Sequence, residues 1–387
     1  MKIAAFNVEN LFDRPKVFNE GDPALTQATI KAVAELNSIF QEDEYTDAQK
    51  VRILELVEQL ELNEREEGPL AFIRRIRGDL FRRPQDGDPE VVARGKADWV
   101  GWAELKTAPV DAIAVLNTGR VIRDVDAHIL AVIEAEDRVS LNTFDQFVLD
   151  RVNDELPEGE RKAPYTGAML IDGNDGRGID VGLMTKEGYD IGDMRSHVND
   201  VDDTGQVIYS RDCPEYAVTT PTGERVWVLP NHFKSKFGGN DPASVAKREA
   251  QATRTAEIYR RLRESGQDNV VVLGDLNDTP ESSALRPLLG GTDLRDVSGH
   301  PNFEVGEFNV PQGNNNKGIG TFGLGNDNQK IDYILLSPAL FERVTSAGLW
   351  RKGAWPGSRP QRWEVYEQLT EEIHAASDHH AIWANLD

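Results

Sequence analysis

With 387 residues, the chain exceeds one average domain; at about 150 residues per domain it points to two or three units. Hydrophobic residues at 39% and aromatics at 7% supply a buried core, so the composition is globular and not disordered. Against 66 acidic residues stand 43 basic ones, and the net −23 argues against a surface that holds nucleic acid or anionic lipid by bulk charge.

Lys2 to Phe6 reads as a short strand running into Asn7-Val8-Glu9-Asn10. Thr26–Phe40 and Thr46–Leu62 carry apolar residues at helical spacing on an acidic background: between Glu42 and Glu67 lie ten acidic and three basic residues. Arg74 to Arg83 reverses the sign with five arginines, and Pro84, Gly87 and Pro89 mark a loop. From Val110 the spacing predicts a helix to about Arg123, an apolar strand through Val132 ending at Glu134, and a helix around Phe144–Val152. Strands are expected over Tyr165–Ile171, Ile179–Thr185, Arg225–Asn231, Asn269–Leu273, Lys330–Leu336 and Ala381–Leu386, with one long helix, Ala243–Glu264, among them. Cys213 is the only cysteine, which excludes an intramolecular disulfide and a thiolate zinc cluster. No run of about 18 apolar residues offers a membrane span. Polar residues interrupt the first segment too early for a signal core, so a cytoplasmic location is expected, with secretion the alternative if a leader was removed.

Several clusters fall at the ends of these strands, where a rigid scaffold can present them together. Val270–Leu273 runs into Gly274-Asp275-Leu276-Asn277, and in extended backbone Asp275 and Asn277 share a face. A plain turn in which both bond their own backbone is the competing reading. Ser377-Asp378-His379-His380 offers a histidine beside a carboxylate, suited to acid–base work, or a surface turn. Asn231-His232-Phe233-Lys234-Ser235-Lys236 is either an oxyanion cradle, with Lys234 and Lys236 towards a phosphate, or a solvated strand end. Glu134, closing an apolar strand, is a candidate ligand for a hard metal such as Mg2+. Asp332 sits inside a buried strand, where it needs a partner such as a histidine. Asp172–Gly178 is a glycine-rich turn whose Arg177 could reach a phosphate. Gly318–Gly323 fits the dinucleotide fingerprint by letter but leads towards a strand instead of a helix, so it is rejected.

Taken in order, Phe6-Asn7-Val8-Glu9-Asn10-Leu11-Phe12, Glu134, Asn231-His232-Phe233, Gly274-Asp275-Leu276-Asn277, Ile331-Asp332-Tyr333 and Ser377-Asp378-His379 resemble the endonuclease/exonuclease/phosphatase superfamily. The resemblance spans 1–12 and about 108–387. It implies an α+β fold, a two-sheet β-sandwich flanked by helices in four layers (α/β/β/α), here with a helical insertion near the N-terminus. It also implies an Mg2+- or Mn2+-dependent phosphoester hydrolase. Carried over residue by residue, Glu134 is the main metal ligand, helped by Asn7 and Glu9, with Asp378 close to the metal. Asp275 and Asn277 position or deprotonate the attacking water, His379 paired to Asp332 is the acid–base histidine, and His232 donates to phosphate oxygens. Two positions depart from the family pattern: Ala381 stands where Pro is usual, and Ile133 where Gln often precedes the metal glutamate.

Because Asn7 and His379 have to meet, the length prior gives way to one domain over 1–387 carrying a charged helical insertion at 13–98. That insertion is either a stabilising or dimerising surface element or a substrate clamp with Arg74, Arg75, Arg77, Arg82 and Arg83 facing phosphates. The leading functional reading is a nuclease acting on DNA or RNA. A phosphatase or phosphodiesterase for a small or lipid-linked phosphate is the alternative, and a non-catalytic binding module of the same fold is the third. The oligomeric state is left open.

Overall fold

Each apolar run becomes a strand because its residues are β-branched and both of its faces find cover. In the computed structural model, which describes all residues except 16–22, 85–88, 176–177, 237–240, 310–315 and 359–360, the strands form a seven-stranded and a six-stranded sheet. The first runs in spatial order Phe303–Glu304, Val344–Trp350, Ala381–Leu386, Lys2–Asn7, Ile129–Ala135, Asp180–Lys186, Tyr165–Leu170. The second runs Asp190–Arg195, Glu215–Thr219, Arg225–His232, Val270–Asp275, Asp332–Leu336, Arg295–Asp296. At the centre of each, two strands run parallel: Lys2–Asn7 beside Ile129–Ala135, and Arg225–His232 beside Val270–Asp275.

Period-2 alternation sorts the side chains into layers. Ile3, Ala5, Ile129, Ala131 and Ile133 of the first sheet meet Val226, Val228, Val271, Leu273 and Ile334 of the second in one buried core. Their alternate neighbours Ala4, Phe6, Leu130 and Val132 face outward onto Val121, Ile122 and Val125 of helix Ala112–Val125 and onto Phe144, Val148 and Val152. On the opposite side, Val270, Val272, Leu229 and Leu335 are covered by Ala252, Ala256, Tyr259 and Leu262 of helix Pro242–Glu264. The result is the expected four-layer α/β/β/α sandwich.

The chain divides into two compact units, Met1–Phe12 with Val110–Asp387, and Asp13–Pro109. The second has its own core, including Leu36, Phe40, Ile53, Leu56, Val57, Leu62 and Trp99. Its helical half is Pro23–Phe40 and Asp47–Gln59, the latter opened by a capping box in which Gln49 N donates to Thr46 Oγ1 at 3.2 Å and Thr46 N to Gln49 Oε1 at 2.9 Å. Its other half is not helical. Ala71–Arg77 pairs antiparallel with Val100–Leu105, because Ala71 and Ile73 alternate inward between outward-facing residues, a period hidden in the sequence by the run of arginines. The unit therefore continues past residue 98, and Thr107–Pro109 pairs with Asp13–Pro15 at its base. The arginines find partners within it: Arg74 with Glu104 at 3.3 Å, Arg75 with Asp79, Arg82 with Glu90, Arg83 with Glu66 at 4.0 Å, and Arg77 with the Ala97 carbonyl at 3.0 Å.

Candidate active site

Parallel strands end at the same pole, and the polar residues singled out above stand there. Asn7 ends its strand, and Glu134 lies near the end of the neighbouring one. In the second sheet His232 is the register partner of Asp275, and Asp275 that of Asp332, so a histidine and two carboxylates form a row across three strands. Ser377-Asp378-His379 enters from the antiparallel strand Ala381–Leu386 beside Asn7. Asn7, His232, Asp275, Asn277, Asp332 and His379 are all buried.

Asp275 is the hub. Its Oδ2 accepts from Asn7 Nδ2 at 3.2 Å and from Asn277 Nδ2 at 3.1 Å, and lies 3.6 Å from His232 Nε2 and 3.9 Å from His379 Nε2. The Asn7 bond joins the two sheets at this pole. His379 Nδ1 bonds Asp332 Oδ2 at 2.8 Å, so its Nε2 is the atom turned towards Asp275. Thr321 Oγ1 accepts from the Asp332 amide at 2.9 Å, and Ser377 Oγ donates to the Asn7 carbonyl at 2.8 Å while accepting from the His379 amide at 3.0 Å.

Burial first, and the facing Asp332 carboxylate second, push the Asp275 carboxyl well above the usual range, as like charges opposite each other in a sheet should. Burial pulls the His379 imidazole down, but Asp332, Asp378 and Asp275 outweigh it and raise it well above its ordinary value. Burial and facing carboxylates thus raise the proton affinity of both Asp275 and His379, the kind of perturbation that marks acid–base sites.

Asp275 and Asn277 meet by a different route from strand alternation. Asn277 is left-handed, with φ 53°, and its amide donates to Asp275 Oδ1 at 2.8 Å. The competing turn reading and the site reading therefore hold together: the turn brings the carboxamide back onto the carboxylate. Gly274 precedes it at φ 125°, where a Cβ would stand 2.1 Å from the Asn231 carbonyl oxygen, so only glycine fits. Glu9, Asn10 and Glu134 are left-handed too, at φ 51°, 66° and 67°. Non-glycine residues held in this region gather where a site dictates backbone geometry.

Glu134 Oε1 lies 3.4 Å from His232 Nε2. Asn7 Oδ1 accepts the Glu9 amide at 3.0 Å, and Glu9 Oε2 accepts the Asp378 amide at 3.3 Å. Hydrogen bonds thus join Asn7, Glu9 and Asp378, and with Glu134 on the neighbouring strand they offer oxygen donors of the kind that Mg2+ or Mn2+ takes. Asp275, Asp332 and His379 also place one ligand atom each within 4.8 Å of one another and could hold a cation.

Lys236 is ion-paired to Asp278, and the Lys234 amide donates to Gln251 Oε1 at 2.8 Å. Arg177 lies outside the described residues. Arg211 is a residue the sequence reading passed over. Its buried guanidinium lies along the imidazole of His232, with Nε 3.1 Å from Nδ1, and pairs with Asp175 at 3.3 Å. It stands in a loop with no strand signal beside it, so only the buried arginine could have flagged it. Ser377 stands within its motif but was given no role of its own, and Thr321 lies in the glycine-rich segment rejected as a dinucleotide fingerprint.

A four-layer sandwich whose strand ends carry an oxygen-rich set beside a buried His–Asp pair is a phosphoesterase fold. Residues 81–350 match the sequence model of the Endonuclease/Exonuclease/phosphatase family, well over half of the chain, and the chain belongs to that family. No curated protein sequence matches it. Among solved structures it is similar to the Bacteroides thetaiotaomicron mannosyl-6-phosphatase Bt3783, at 16% identity and TM-score 0.45 over 71% of this chain and 90% of that one. Truncated Caenorhabditis elegans TDP2 matches at 16% identity and TM-score 0.44 over 71% and 93%. The human nocturnin catalytic domain, with bound sulfate, matches at 11% and 0.46 over 71% and 86%. Among the described residues no helix is long and apolar enough to cross a membrane.

Proposed function

We propose that the chain hydrolyses phosphodiesters with Mg2+ or Mn2+, with nucleic acid as the first substrate class to test. The observation that carries this reading is the buried Asp332–His379 pair, 2.8 Å between Oδ2 and Nδ1, with Asp275 and His232 beside it at one pole. Asp332 fixes Nδ1, so His379 acts at Nε2 and gives that proton to the leaving oxygen as its bond to phosphorus breaks. Asp275, its affinity for a proton raised by burial and by Asp332, takes the proton of the attacking water, and Asn277 helps place that water. His232 donates to a phosphoryl oxygen, and Arg211, whose guanidinium touches both ring nitrogens with Nη2 2.6 Å from Nε2, adds fixed positive charge where negative charge builds in the transition state. Asn7, Glu9, Glu134 and Asp378 would hold the metal, which supplies Lewis-acid polarisation of the phosphoryl group.

A second reading, a small or lipid-linked phosphoester, draws on one observation. Arg211 and Lys236 at the pole are already matched to Asp175 and Asp278, and the arginines of the inserted unit are matched inside it. A polyanion is usually held by a track of cations that release its counterions. The deciding experiment is a panel of plasmid DNA, single strands, RNA and small phosphoesters with Mg2+ or Mn2+. We expect EDTA to abolish hydrolysis; equal rates with and without it would sink the metal mechanism. Binding that weakens steeply with salt supports nucleic acid, and a flat response supports the small substrate.

A further inference from the structure

Helix Pro242–Glu264 has to bury one face against the second sheet, and an apolar stripe would suffice for that. Beside its apolar stripe, Arg248, Gln251 and Thr255, at i, i+3 and i+7, are also fully buried. Their bonds go to the loops that carry the site. Arg248 Nη1 donates to the Lys234 carbonyl at 3.2 Å, and Gln251 Oε1 accepts the Lys234 amide at 2.8 Å, so one residue after Phe233 is gripped on both sides of its backbone. Arg248 Nε also donates at 3.0 Å to Asp278 Oδ2, directly after Asn277. Asp278 holds its own loop in turn: Oδ1 accepts the Thr279 amide at 2.9 Å and Oδ2 accepts Ser282 Oγ at 2.7 Å. The two loops touch where Asn277 Nδ2 donates to the Phe233 carbonyl at 3.1 Å. Thr255 Oγ1 continues the stripe to Asn231 Oδ1 at 3.3 Å.

A buried ion pair adds little stability over a well-packed apolar replacement, so its presence here calls for a role other than holding the fold. We infer that Arg248 and Gln251 are positioning residues, a clamp from the outer helix that sets the loop after His232 and the loop after Asp275 at a fixed separation. Arg248 spans the two loops, and the spacing it sets is that between the His232 imidazole and the Asn277 carboxamide. The catalytic part of this inference rests on the proposed phosphodiesterase reading; the structural part does not.

The test uses the full chain with Arg248→Met, Arg248→Lys and Gln251→Leu. The control is Leu262→Ala, a core truncation about three turns beyond Gln251 on the same helix. Hydrogen exchange is read at 233–236 and 276–279, and kcat and KM on whichever panel substrate is cleaved. In Arg248→Met we expect both loops to exchange at least about tenfold faster, with 226–231 and 270–274 unchanged, and kcat to fall about tenfold or more with KM within about threefold. Arg248→Lys, which keeps the charge on Asp278, should recover part of both. Leu262→Ala should lower the unfolding midpoint without moving either readout. Unchanged exchange in the loops, or an equal kcat loss in Leu262→Ala at a matched midpoint, would overturn the clamp. If Arg248→Met does not fold, Gln251→Leu makes the same comparison at the Lys234 amide. Faster loop exchange in a chain that cleaves nothing in the panel would reject the phosphodiesterase reading and leave the clamp standing.

Discussion

Two carboxylates facing each other across a buried strand pair cannot both stay ionised cheaply, and Asp275 and Asp332 solve this by surrounding a histidine. Removing either working group should therefore be costly. Asp275→Ala or His379→Ala should lower hydrolysis by at least about a hundredfold in steady-state assays, the usual scale for an acid–base or oxyanion-stabilising group. A loss below about threefold would remove that residue from the mechanism. Away from the site, Asp145 offers a cleaner titration. Burial, with a smaller push from Asp150, raises its carboxyl to about 6, above the ordinary carboxylate range. The folded state thus binds its proton more tightly than the unfolded chain. Below about pH 3 both states are protonated and the residue costs nothing; the cost grows between about pH 3 and 6 and is constant above. Asp145→Asn should then stabilise the protein by about 1 kcal/mol at pH 7, after discounting for solvent screening, and almost not at all at about pH 3. Thermal unfolding at the two pH values checks the sign.

Elements matter here through what they deliver at their ends. The parallel pairs Lys2–Asn7 with Ile129–Ala135 and Arg225–His232 with Val270–Asp275 bring four strand ends to one pole, each continued by a polar loop. Ends also decide stability in the inserted unit. Asp47–Gln59 begins at a capping box on Thr46, which satisfies an otherwise orphaned helix amide. Thr46→Ala should cost about 1 kcal/mol, seen as a lower unfolding midpoint without loss of hydrolysis. A change in activity comparable to that of Asp275→Ala would instead implicate the unit in the reaction.

The whole molecule carries its −23 unevenly. Residues 13–109 contain 20 acidic and 14 basic side chains, so most of the excess belongs to the sandwich. The inserted unit is joined to it where two backbone groups already meet: the Val110 amide donates to the Phe12 carbonyl at 2.7 Å. Chain ends that close can be rejoined with little loop entropy. Replacing 13–109 by a short glycine linker should leave a folded sandwich that still cleaves small phosphoesters, monitored by circular dichroism and the substrate panel. A folded product without activity would assign the insertion a part in binding or catalysis.

Much of this was legible before any coordinates. Continuous β-branched runs named the central strands, because a strand covered on both faces is written as an uninterrupted apolar stretch. Asn7, Glu134, His232, Asp275, Asp332 and His379 stood out because each polar residue borders or interrupts such a stretch, and their order along the chain resembled one family. Other features carried no local signal. Asp190–Arg195 is a polar edge strand, and Val344–Trp350 is broken by Thr345, Ser346 and Gly348, so neither reads as a run. Strand Ala71–Arg77 was masked by its exposed run of arginines. Arg211, Arg248 and the Asn277 turn depend on partners far away in sequence, such as His232, Asp278 and Phe233. Residue type and period are local properties, and they settle which segments are strands and which residues close them. Which side chains hold a proton more tightly, and which arginine grips which loop, follows only from burial, when the low-dielectric interior makes every polar group find a partner wherever the fold has put one.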